Sequence, residues 1–276
     1  MRKRNNLLLM WLLGVLSVTA QQGDLYDLSH SVAFANYLYH NGEYEMAGKE
    51  YYRVFSMTNH HDSIAVKLGN SLLHTHQYPK ITRIFSSAYG NDKIPCSVSH
   101  IYAKGLIMSH SAPSASEWIN QTTCFTEEEK RYFTISNKLL HYQFKEAATT
   151  YNSYGESSAL VQRYEKVFKQ IAQKKSKKVW TSVLLSSLLP GAGKVYCGEW
   201  KDGLFSFAMF GLSFWQAYAG FHKKGVKSIY GWINGGLALA FYSGNIYGSI
   251  KSVHKYNYHI EQEIHHEAQE VFLLPD

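Results

Sequence analysis

Apolar positions change rhythm twice along this chain, and each change marks a boundary. From residue 28 to about 155, apolar and small side chains recur at three- and four-residue spacing in short segments broken by polar turns, the pattern of amphipathic helices. Residues 156–178 extend it: Leu160, Tyr164, Val167, Phe168 and Ile171 form one stripe, predicting a single further helix. The rhythm then gives way to apolar runs at 179–189, 203–221 and 229–248, before 258–276 turns polar again. The whole predicts an all-α protein.

The three runs differ in length, and length decides what each can do. A helix needs roughly 20 apolar residues to cross about 30 Å of hydrocarbon. Residues 179–189 fall short and stop at Pro190, whose ring removes a donor and clashes with the preceding turn; they predict an interfacial or re-entrant helix. Residues 203–221 and 229–248 are long enough to span, and the short polar link 222–228 forces them into an antiparallel transmembrane hairpin. At the other end, Met1-Arg2-Lys3-Arg4 precedes an apolar run from Leu7 to Val18, and Val18-Thr19-Ala20 offers the small residues a signal peptidase reads. Residues 1–20 therefore read as a signal peptide cut after Ala20, with an uncleaved anchor as the alternative. The expected domains are 21–173, a membrane module 174–257, and a polar helical tail 258–276.

Within 28–155 the pattern repeats. Ala35, Leu38, Gly42, Tyr44, Ala47, Tyr51 and Val54 have the small-and-aromatic spacing of a tetratricopeptide repeat, and a shift of about 34 residues lands on Gly69, Leu72, Tyr78, Phe85 and Ala88. His76 stands where the first repeat has Gly42, and Pro79 falls in the first turn of a helix, where proline is tolerated. A third unit begins with Ala103 and Leu106 and is interrupted by the turn-rich Ser111-Ala112-Pro113-Ser114. Thr126 and Glu129 form a capping box for a fourth, carried on by Tyr142, Phe144, Ala147 and Tyr151. This region resembles a tetratricopeptide (TPR) array, which implies a helical-repeat solenoid whose concave side binds a protein or peptide; a degenerate spacer is the bland reading.

Pro190-Gly191-Ala192-Gly193-Lys194 has the flavour of a phosphate-binding loop, but Leu188 occupies the first glycine position and Val195 the hydroxyl position. A structural membrane turn fits better. Pro190, Gly191, Gly193, Tyr196 and Gly198, followed by Lys201 and Gly203 and later by Asn245 and Asn257, resemble small bacterial membrane modules of the TM2 and DUF5683 kind. That resemblance covers about 179–257, implies a short helix, a Pro-Gly-x-Gly-x-x-Tyr-x-Gly turn and a glycine-rich helical pair, and brings no catalytic activity with it.

Gly236, Ala240, Gly244 and Gly248 recur every four residues and predict a smooth stripe for close helix packing, within the hairpin or with a second copy. Asn234 and Asn245 lie about three turns apart and need partners in hydrocarbon; Gln216 is the expected one. Cys96 and Cys124 can pair in an oxidising compartment, whereas Cys197 has no evident partner. His259, Glu263 and His266 can share a face of the tail, yet a solvated amphipathic helix accounts for them, and no metal-ligand spacing is present.

Charge and composition sharpen the picture. Tyrosine is abundant at 21 residues, with 15% aromatic against 18% charged, which suits tyrosine-packed helices and an aromatic-rimmed membrane segment. Much of the +7 charge is lysine beside the apolar runs, as in Lys174-Lys175-Ser176-Lys177-Lys178. Such clusters favour anionic head groups, and export takes the chain away from nucleic acid. Lys223, Lys224 and Lys227 on the cytoplasmic side satisfy the positive-inside rule if two segments span; a spanning 179–196 would put the tail inside instead. The expected function is a non-catalytic adaptor of the bacterial cell envelope. Its hairpin would sit in the inner membrane, its repeats would face the periplasm or exterior and bind a protein or peptide, and it would need no cofactor or metal. The rival reading is a membrane-interface enzyme or lipid-handling protein with its site at the turn 190–201.

Overall fold

Gly42 closes the first helical pair in a left-handed conformation (φ 79°), and the same conformation recurs at His76 (φ 55°) and Tyr142 (φ 61°), neither of them glycine. At each place the next amide reaches back five residues: Glu43 N–H to the Leu38 carbonyl, Gln77 to Leu72 and Gln143 to Lys138, all at 2.9 Å. This closure satisfies carbonyls that a helix end otherwise leaves orphaned. A left-handed non-glycine residue costs roughly 1–2 kcal/mol. His76 offsets that through a 2.6 Å contact with the Tyr78 hydroxyl, and Tyr142 by stacking on His265 with centroids 4.6 Å apart.

The computed structural model describes residues 26–109, 112–154 and 159–274; the predicted signal peptide 1–20 lies outside them. These residues are helical throughout, with no strand among them. In order they are α1 (Leu28–His40), α2 (Tyr44–Met57), α3 (Asp62–His74), α4 (Tyr78–Tyr89), α5 (Cys96–Met108), α6 (Ala112–Gln121), α7 (Glu127–Leu140), α8 (Phe144–Tyr154), α9 (Ala159–Gln162), α10 (Glu165–Gln173), α11 (Val179–Leu188), α12 (Ala192–Tyr196), α13 (Trp200–Lys224) and α14 (Ile229–Leu273). The chain divides into two compact units, up to Asn137 and from Lys138, so the division falls within α7.

In the first unit the repeating small residues sit where helices meet. Ala35, Ala47, Ala65 and Ala103 are fully buried among Tyr51, Phe55 and Phe85. A methyl group on Gly69 would come within 2.6 Å of Ile101, and one on Gly105 within 2.9 Å of Ile81, so α3, α4 and α5 close on each other through glycine. A disulfide joins Cys96, at the start of α5, to Cys124, just before α7. Thr126 and Glu129 exchange hydrogen bonds as a capping box, and the second Glu129 oxygen meets His100 Nε2 at 2.8 Å. One expectation needs correcting: Ala112, Pro113 and Ser114 belong to α6 instead of a turn-rich insertion. The reason is that a proline in the first helical turn loses no hydrogen bond.

The second unit departs from the sequence reading in three ways. The expected helix 156–178 is two, α9 and α10, broken at Arg163–Tyr164 where neither proline nor glycine stands, and 174–178 is extended. The expected separate tail is no separate element, because α14 runs unbroken for 45 residues, about 68 Å at 1.5 Å per residue. The expected boundary at 173 also moves, since residues from Lys138 group with the hairpin. The far half of α14 explains this grouping. Its His265 stacks on Tyr142, Gln262 donates to the Tyr142 hydroxyl at 3.0 Å, and Glu263 pairs with Lys174 at 2.5 Å. The described residues of 138–178 and of the tail thus lie at the same end of the α13–α14 hairpin, opposite the 225–228 link.

At that link α13 and α14 come closest. A methyl on Gly220 would lie 2.8 Å from the Gly231 Cα. The predicted stripe does not make this contact: Gly236, Ala240 and Gly244 are exposed, with no atom within 4 Å of a methyl at Gly236 or Gly244. The packing face lies on nearly the opposite side of the helix, through Gly231, Asn234 and Ala238. Among the described residues no helix is long and apolar enough to cross a membrane by mean hydropathy.

Candidate functional site

The turn after α11 is built around contacts that admit only glycine. Gly191 has φ 94°, and a methyl on it would sit 2.1 Å from the Gly203 carbonyl oxygen, backbone against backbone. Gly193 is enclosed by α11, where a methyl would lie 2.3 Å from both the Ser182 carbonyl and the Ser186 hydroxyl. Gly198 also has positive φ, 88°, but open space around it. Pro190 is buried and α11 ends just before it. The chain runs along α11, reverses at 189–191, and returns along α12.

The buried polar groups of this reversal pair with one another. The Ser182 hydroxyl donates to the Gly193 carbonyl at 3.0 Å and lies 3.2 Å from the Ser249 carbonyl of α14. The Gly193 amide donates to the Ser186 hydroxyl at 3.0 Å, and the Gly191 amide to the Asn245 side-chain oxygen at 3.0 Å. The Tyr242 hydroxyl donates to the Ser187 carbonyl at 3.0 Å, tying the end of α11 to α14. The turn's amides are therefore consumed inward, which leaves no outward cradle for a phosphate.

Just before α11, Asn257 holds the chain from both sides. Its side chain accepts from the Lys177 amide at 2.8 Å and donates to the Lys177 carbonyl at 3.0 Å. The Lys177 ammonium lies 3.9 Å from the Tyr256 ring centroid and 4.9 Å from that of Tyr196, and it donates to the Tyr196 carbonyl. Tyr196 thus closes a cation–π clamp. Lys194 lies across Gly248, where a methyl would meet its Cε at 2.9 Å, and its ammonium donates to Ser206 at 2.8 Å. Gly248 makes room for a lysine here, not for a neighbouring helix.

The asparagine and glutamine expectations are corrected in the same region. Gln216 accepts from the Tyr230 hydroxyl at 3.1 Å, and Asn234 donates to the Tyr230 carbonyl of its own helix at 3.0 Å. Neither Asn234 nor Asn245 reaches Gln216, because each finds a backbone group nearer to hand. Both are buried on one face of α14, and the Asn245 nitrogen has no hydrogen-bond partner.

Two groups beside the turn, Cys197 and Glu199, have shifted pKa values, and neither shift favours chemistry. Burial pushes the Cys197 thiol above its ordinary range, keeping it protonated and a poor nucleophile. Glu199 is held below the usual carboxylate range, first by its hydrogen bond to Lys255 at 2.8 Å and then by the Ser252 hydroxyl. A carboxylate so engaged cannot act as a general acid near neutrality. Among the described residues no group of three histidine, cysteine, aspartate or glutamate side chains is arranged to hold a metal. In the tail, Glu263 is taken by Lys174, and His266 lies 3.5 Å from Glu270.

Outside this polar interior the surface is apolar. From Trp180 to Tyr247 large apolar side chains are exposed on α11, α13 and α14, among them Leu188 at 77%, Phe205 at 67% and Leu239 at 66%. Trp180, Trp200 and Tyr247 stand at the turn end, and Trp215, Tyr218, Tyr230 and Trp232 toward the link. Sequence reasoning found the turn glycines and Asn257 but missed Lys177, Ser182, Ser186 and Glu199. The four-residue spacing of Ser182 and Ser186, which puts two hydroxyls on one helix face, was the available signal. The chain matches no protein-family model, no curated protein and no solved structure.

Proposed function

We propose that this protein is a non-catalytic adaptor of the bacterial cell envelope. The α13–α14 hairpin anchors it in the cytoplasmic membrane, and exported tetratricopeptide-like repeats bind a protein or peptide. The observation that carries this reading is the inverted surface of residues 179–252, with serine hydroxyls and two asparagines buried and large apolar side chains exposed. Soluble monomers rarely expose contiguous apolar patches beyond a few hundred Å².

Further features support the same reading. Residues 203–221 and 229–248 contain no aspartate, glutamate, lysine or arginine, and 203–221 span about 27 Å as a helix, close to the hydrocarbon thickness. Their hydropathy is lowered by glycine, tyrosine and tryptophan, and the aromatics are the residues that favour the head-group level. The link end carries His222, Lys223, Lys224 and Lys227 with no acidic residue from 203 to 260, which favours the cytoplasmic side. With the described residues of 138–178 and of the tail at the opposite end of the hairpin, two crossings suffice and α11–α12 become a re-entrant segment; their short helix and turn resemble those of the TM2 and DUF5683 modules. The Cys96–Cys124 disulfide suits an oxidising exterior.

Alkaline extraction of membranes from cells making the full chain tests the anchor. The expected result is retention in the membrane pellet and release only by detergent; a chain recovered in the aqueous fraction would overturn it.

A further inference from the structure

In the first unit a groove of about 490 Å³ runs between α2 and α4. Its floor is apolar, formed by Leu68 and Leu72 of α3 and by Phe55, all buried. Tyr52 rises from one wall, half exposed, and Ile84 from the other. The residues on each wall follow helical spacing, Lys49 and Tyr52 on α2 and Lys80, Arg83 and Ile84 on α4, so both helices turn a continuous face to the groove.

Its charge is one-sided. Lys49 stands on the α2 rim, and Lys80 and Arg83 on the α4 rim. The one carboxylate lining the groove, Glu45, is already paired with Lys49 at 2.8 Å. Lys80 donates to the neutral side-chain oxygen of Gln77 and, with Lys49, acts on the charge of Glu45, so three cations share one carboxylate and the groove keeps a net positive charge. Arg83 is exposed on the groove's α4 rim.

We propose that this groove binds an acidic peptide segment of another protein, one whose carboxylates flank an aliphatic or aromatic residue. The apolar residue would settle between Tyr52 and Ile84, above the buried Leu68, Leu72 and Phe55, while the carboxylates meet Lys80 and Arg83. Charge complementarity selects acidic over basic partners. The aliphatic floor and the short cationic rim fit a peptide better than a nucleic acid, which needs a longer basic track and stacking platforms. The inference rests on the adaptor reading, to which it adds a place and a partner chemistry.

The test uses the purified full chain in detergent micelles and short labelled peptides matched in length and apolar content but graded in net charge, read by fluorescence anisotropy. Acidic peptides with a central phenylalanine should bind, basic ones should not, and affinity should fall with salt. The double reversal K80E/R83E, at two exposed positions and checked for unchanged helicity, should weaken binding about tenfold or more, or roughly 1.4 kcal/mol. The conservative pair K80R/R83K should retain it. Acidic peptides bound undiminished by K80E/R83E would overturn the groove and leave the adaptor reading standing. Binding indifferent to peptide charge, or equal competition by a single-stranded oligonucleotide, would overturn the acidic-peptide assignment. No binding by any peptide would count against both.

Discussion

The first unit and the hairpin bring helices together by the same device and treat their large side chains in opposite ways. In the first, glycine and alanine let α3, α4 and α5 approach so that Phe55, Phe85 and Ile81 are sealed inside. In the hairpin, Gly191 and Gly203, and again Gly220 and Gly231, bring backbones into contact while Phe205, Phe214 and Leu239 point away. Close approach thus serves burial in one and polar pairing in the other. On the proposed membrane-anchor reading, the two regions are folded for different surroundings.

The largest expected effect breaks the comparison at its glycines. Gly191→Val combines a left-handed backbone with a clash against the immovable Gly203 carbonyl, so a loss of about 4 kcal/mol or more is expected in detergent unfolding. Gly69→Val in the first unit meets only the Ile101 side chain, which can shift, and should cost about 1–3 kcal/mol. Equal losses would mean the two contacts are of one kind.

Next come the exposed apolar positions. Leu212→Arg should disfavour membrane insertion by about 3 kcal/mol, read as loss from the membrane fraction. Tyr37→Arg, at a position on α1 that is more exposed still, should change stability by less than about 0.5 kcal/mol. If both were tolerated alike, the contrast in surroundings would be wrong.

Smaller effects belong to the polar clamp. Asn257→Ala removes both bonds to Lys177 and should lower the melting midpoint in detergent by the equivalent of about 1–3 kcal/mol. Glu199 adds a pH dependence confined to the second unit. Its folded pKa is depressed, so its contribution is complete above the ordinary glutamate value of 4.5 and is lost as pH falls through the lower folded value. Glu199→Gln should flatten that acid limb of a stability-against-pH curve and leave the first unit's unchanged.

Much of the helical layout was legible because its punctuation is local. Gly42 and its counterpart His76, the Thr126–Glu129 box and Pro190 each sit beside the helix end or start they mark. What escaped depends on distant partners. The break at Arg163–Tyr164 has no proline or glycine to announce it. Four-residue glycine spacing reveals that a smooth stripe exists but not which way it faces, and here Gly236, Ala240 and Gly244 face outward while Gly231 makes the contact. Ser182, Lys177 and Glu199 acquire their roles only when α14 returns beside them, more than fifty residues later in the chain.

Site-directed labelling tests most directly whether the hairpin lies in lipid with both polar arms on one side. In a Cys197→Ser background, single cysteines at Lys175, Val226 and Glu261 would be exposed to a membrane-impermeant maleimide in intact spheroplasts and again after lysis. The account predicts that the first and last label from outside while Val226→Cys labels only after lysis. Labelling of Lys175→Cys and Glu261→Cys from opposite sides, or of all three from the same side, would contradict it.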